Sequence, residues 1–89
     1  MTNTHYSEQQ AYNERMKIAL GETISNRRLE LRYEQRQFAR IAGISNSHLR
    51  KIEGGETSPT LSTIAKIASA LDTDAADLVS ETCCRMRLR

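Results

Sequence analysis

The chain is predicted to be all-α, with five helices, and three observations carry that expectation. Apolar residues recur at helical spacing, as in Leu61, Ile64, Ala65, Ile67, Ala68 and Leu71. Strand-like alternation nowhere lasts more than a few residues. There is one proline, Pro59, and few aromatics. The 89 residues suffice for one small domain with a modest core.

Taken in order, residues 1–6 carry no pattern and are expected to form a mobile terminus. Ser7-Glu8-Gln9-Gln10 fits a capping box. From there to about Arg32 the composition favours helix. Gly21 leaves open whether this is one helix or two. Leu20, Ile24 and Leu31 form its buried stripe, with Arg28 among them. Tyr12 and Met16 are a separate i, i+4 pair that covers the domain or meets a partner chain. Tyr33 and Glu34 link to two short helices at 35–42 and 46–53. The first is apolar at Phe38, Ala39 and Ala42. Gly43 suits a left-handed exit, Ile44 plugs the turn, and Ser45 caps the second helix. That helix buries Leu49 and Ile52 and stops at Gly54-Gly55. Thr60 caps a fourth helix of about 61–71 with a broad apolar face. Thr73 caps a short fifth helix with Asp74 and Asp77 in its first turn. Leu78 and Val79 close the core.

The helix at 46–53 points Ser47, Arg50 and Lys51 away from its dry side, with Asn46 at the flank. A short helix of this kind suits the DNA major groove. Asn can read adenine through paired bonds, and Arg or Lys can read guanine. His48 lies toward the buried side, as a packing residue or phosphate contact. The charge pattern agrees. Residues 27–51 hold seven bases and two acids, hence +5; residues 52–84 hold one base and six acids, hence −5. A basic segment coinciding with the two short helices is the footprint of a polyanion.

Other classes are disfavoured. No apolar run approaches the ~20 residues of a membrane span, and MTNTHYSEQQ does not read as a signal peptide. Adjacent Cys83 and Cys84 make neither a disulfide framework nor a closed zinc site. We expect a cytoplasmic protein with reduced thiols, without metal, cofactor or catalytic residues.

Residues 20–79 resemble the Cro/phage-repressor (Xre-like) helix-turn-helix family of bacterial and phage regulators. The matching pieces are LGETI at 20–24, RRLELR at 27–32, QRQFARIAGIS at 35–45, LRKIEGGETSPTL at 49–61 and IAKIASALDTD at 64–74. The resemblance implies a five-helix lambda-repressor-like fold. It implies that Asn46, Ser47 and Lys51 read bases, with Arg50 beside them, and that Gln35 touches the DNA backbone. Ser45, Thr57 and Ser58 are further backbone candidates. Arg28 and Glu53 match a pair joining the first helix to the recognition helix. Gly55 matches the glycine ending that helix, and Pro59 the proline before the fourth. Three positions depart from the pattern. Glu34 replaces a Ser or Thr cap, so the second helix is expected to fray or shift at its start. Arg32 replaces a Gly, and Arg27 an apolar residue.

The expected organisation is a partly helical extension at 1–19, the helix-turn-helix domain at 20–80, and a basic tail at 81–89. The expected function is sequence-specific double-stranded DNA binding by a small stand-alone regulator, as a homodimer on an inverted-repeat operator. The alternative is a protein-interaction module, such as a toxin-neutralising antitoxin with a partner protein, in which DNA binding is secondary.

Overall fold

The computed structural model describes residues 4–88, with side chains from residue 7 onward. Five helices follow one another: α1 (Thr4–Glu30), α2 (Gln35–Ala42), α3 (Asn46–Glu53), α4 (Leu61–Ala70) and α5 (Ala75–Arg87). The expectation for residues 1–3 lies outside the described residues. Residues 4–6 already belong to α1, so the capping box at Ser7 lies inside the helix and does not start it.

α1 is one continuous helix of 27 residues. Gly21 does not break it; a helix tolerates one interior glycine at a cost of about 1 kcal/mol. Its reason is packing. A Cβ at Gly21 would stand 2.5 Å from the carbonyl oxygen of Ile52 and 2.6 Å from that of Glu53. Only glycine lets α1 touch the end of α3. The second half of α1 buries Ala19, Leu20, Thr23, Ile24 and Arg28, whereas residues 7–15 are exposed on every side. Leu31, expected in the stripe, is 46% exposed, because the helix has ended and the chain is turning.

Phe38, Ile24, Leu49, Ile52, Ile67 and Leu78 are fully buried and form the centre of the core. The face of α4 is narrower than its apolar pattern suggests. Ile67 and Ala68 are buried, while Leu61 and Ala65 face out and Thr63 takes an inward position. Asp74, not Thr73, caps α5: its carboxylate accepts from the Asp77 amide at 2.8 Å. The fifth helix is not short. It runs 13 residues, through much of the expected tail, and lies along α1. Leu78 is buried, but Val79 is 37% exposed and does not close the core.

Four helices end alike. After α1, α2, α3 and α4, a residue with positive φ lets its own amide and the next one reach back to carbonyls of the last turn. Gly43 and Gly55 supply that conformation without strain. Arg32 (φ 64°) and Asp72 (φ 61°) supply it with a Cβ in place.

Candidate nucleic-acid interface

α2 and α3 are set by their first residues. The Glu34 amide donates to the Gln37 side chain at 3.4 Å. α2 begins at Gln35 as the sequence pattern placed it, so glutamate at the cap neither frays nor shifts the start. Gly43 (φ 77°) turns the chain, and Ser45 Oγ accepts from the His48 amide at 3.0 Å. α3 then carries Leu49 and Ile52 inward and leaves Ser47, Arg50 and Lys51 exposed.

Behind this face lies a polar network. Arg28, 8% exposed, donates through Nε and Nη2 to the two Glu53 oxygens at 2.8 and 3.0 Å. Its Nη1 donates to the Tyr33 carbonyl at 2.7 Å. Gln35 Nε2 donates to Glu53 Oε1 at 3.0 Å. One carboxylate thus ties α1, α2 and α3 together, and a forked guanidinium–carboxylate pair fixes angle as well as distance. The Arg28–Glu53 pair read from the sequence is present.

An open concavity of about 530 Å³ sits over the network, lined by Gln35, Ser47, Arg50, Lys51, Glu53 and Glu56, among others. The structure therefore brings Ser47, Arg50, Lys51 and Gln35 together. It holds Asn46 differently. Asn46 is half-buried, and its Oδ1 is buried without a hydrogen-bond partner. Paired reading of adenine requires that oxygen, so it requires another rotamer. Ser45 is exposed beside its cap bond, Thr57 is half-buried, and His48 is half-buried. Ser58 lines a different groove, about 360 Å³, with Met16, Leu20, Ile64, Val79 and Thr82.

The basic segment is smaller than its count. Arg27 is directed to Glu81 on α5 (2.8 Å) and Arg28 to Glu53, which leaves Arg32, Arg36, Arg40, Arg50 and Lys51 exposed. Arg85 donates to Thr23 Oγ1 at 3.0 Å, so this tail arginine is engaged within the fold. Sequence reasoning missed Glu56 as a member of the concavity. Its acidity two residues beyond Gly54, at the end of a basic helix, was the available signal.

Residues 24–78 match the helix-turn-helix family HTH_3. The chain belongs to this family. Among its helix-turn-helix relatives is an uncharacterized HTH-type transcriptional regulator of Haemophilus influenzae, 29% identical over 76 residues, or 79% of this chain and 78% of that one. The clp gene regulator ClgR of Corynebacterium glutamicum superposes with a TM-score of 0.77 at 25% identity, covering 82% of this chain and 78% of the other. The restriction-modification controller protein C.AhdI of Aeromonas hydrophila does so with a TM-score of 0.67 at 26% identity, covering 70% and 94%. The family match leaves out the first 20 residues of α1 and the last two thirds of α5. Among the described residues, no helix is long and apolar enough to cross a membrane, and no group of three or more His, Cys, Asp or Glu could hold a metal ion.

Proposed function

We propose that this protein is a sequence-specific DNA-binding transcriptional regulator that lays α3 in the major groove. One observation carries the reading: the exposed side of α3 holds Ser47, Arg50 and Lys51, while Glu53 on the same helix is fixed to Arg28 and Gln35. A reader must present donors from a rigid mount. Arg50 and Lys51 are the base readers, with Ser47 and Asn46 leading the helix into the groove. Gln35, at the N-terminus of α2, offers its second amide hydrogen to a phosphate, where the helix end already favours an anion. Ser45, Thr57 and Ser58 add backbone contacts in proportion to their exposure.

A single domain this small reads few base pairs, so the working unit is a two-fold homodimer on an inverted repeat, half-sites about one turn apart. Leu78 is buried and unavailable for that interface. Tyr12, Met16 and Val79 remain. The protein acts in the cytoplasm. The interaction-module alternative draws no support from the relatives named above.

Selection of bound sequences from random duplex DNA, followed by single-base changes in the selected site, tests the reading. Lys51→Ala should relax preference at one or two symmetric positions, and Gln35→Ala should weaken all duplexes alike. With about four phosphates neutralised per protomer, log affinity should fall against log salt with a slope near −4. Absence of binding to any duplex overturns the proposal.

A further inference from the structure

The concavity beside α3 contains two carboxylates, and only one has a structural use. Glu53 is consumed by Arg28 and Gln35. Glu56 is exposed and, among the described residues, its side chain makes no hydrogen bond or ion pair. It is nevertheless held in place. Its backbone amide donates to the Lys51 carbonyl at 2.9 Å, which closes the end of α3. Its Oε2 lies 3.2 Å from where a Cβ on Gly54 would stand, so the carboxylate folds back over the helix end.

That position sets the carboxylate against the helix end behind it and against any anion in front of it. The C-terminus of a helix carries partial negative charge and favours cations. The same carboxylate shares the concavity with Ser47, Arg50 and Lys51, where a polyanion would seat. Nothing in the packing demands an acid there.

We propose that Glu56 is an electrostatic brake on DNA binding. It offsets part of the attraction of Arg50 and Lys51 for phosphates, on every sequence alike. Affinity for duplex DNA is thereby kept low enough that occupancy follows the concentration of the protein. The inference rests on the DNA-binding reading given above and adds to it a residue acting against binding.

The test compares the full chain with Glu56→Gln and Glu56→Lys on two probes: a random-sequence duplex and a duplex enriched by selection. Glu56→Gln should bind both about three- to ten-fold more tightly at low salt, a gain that shrinks as salt screens the lost repulsion. Glu56→Lys should gain more and steepen the salt slope by about one. Asp77→Asn, the same charge change outside the concavity, should move affinity less than about two-fold. Melting temperature of Glu56→Gln should stay close to that of the wild type, since the repulsion lost at the helix C-terminus is offset by the attraction lost to Arg50 and Lys51. Equal or weaker binding of Glu56→Gln, while the wild type binds duplex, overturns the brake and leaves the DNA-binding reading standing. A gain confined to sequences changed at one base pair also overturns it, by making Glu56 a base reader. Failure of every variant to bind either probe removes both readings.

Discussion

α2 and α3 meet chiefly through apolar side chains, whereas α1 and α5 add long-range polar ties to the buried Leu20, Ile24 and Leu78. Between α2 and α3, Phe38, Ala39 and Ala42 face Leu49 and Ile52, and a left-handed glycine sets the angle. Between α1 and α5, Arg27 reaches Glu81 and Arg85 reaches Thr23. Thr23 and Thr82 are buried, each satisfied by a carbonyl one turn back on its own helix. The difference teaches where a fold can be read in advance. Apolar spacing is local and announces itself. A polar tie between residues 54 or 62 positions apart has no local signature.

The hardest blow to this contrast falls on the polar link inside the apolar half. Glu53→Ala strands the buried Arg28, and loss of one partner of such a pair costs about 3–5 kcal/mol. Chemical denaturation should show that loss, with weaker DNA binding alongside. A loss below about 1 kcal/mol would mean that apolar packing alone fixes α3.

Gly21→Ala comes next. Its methyl meets backbone oxygens that cannot swing away, so α1 and α3 must separate, at about 1–3 kcal/mol. Thermal melting measures it. Unchanged melting would mean that the two helices are not held at the distance described.

A gain should come from Arg32→Gly. Removing a Cβ from the left-handed region should stabilise the chain by about 0.5–1 kcal/mol, after the entropy that glycine costs. Destabilisation would show that the Arg32 side chain holds something the backbone conformation does not reveal.

The smallest effect sharpens the outer pair. Arg27 and Glu81 are each about a third exposed, 30% and 35%, so water screens them. A double-mutant cycle should return about 0.2–1 kcal/mol of coupling, falling with salt. A larger value would rank α1–α5 beside the core rather than below it.

How much was legible follows the same line. Both short helices of the motif, the Gly43 turn, the Ser45 cap and the Arg28–Glu53 pair were readable, because residue types there carry their reasons locally or through the family pattern. Leu31, Leu61 and Val79 were misplaced, since helical spacing tells which residues share a face but not where the face stops. The length of α5 was missed because SETCCRMR shows little apolar periodicity; its partner is α1, far away in sequence. At the candidate interface, exposure of Arg50 and Lys51 was foreseeable from phase. The engagement of Gln35 by Glu53 and the buried oxygen of Asn46 depend on side-chain rotamers.

The uninterrupted course of α1 has a mechanical consequence. Gly21 presses against the end of α3, and Thr4 lies 17 residues before it on the same rod. At 1.5 Å per residue that arm is about 25 Å long. A tilt of about 10° around the glycine contact moves the far end by roughly 4 Å, and the reverse holds as well. A modest push on the exposed end is thus geared down into a small displacement at the end of α3. The two ends of α1 form a lever with its fulcrum at the one glycine of that helix.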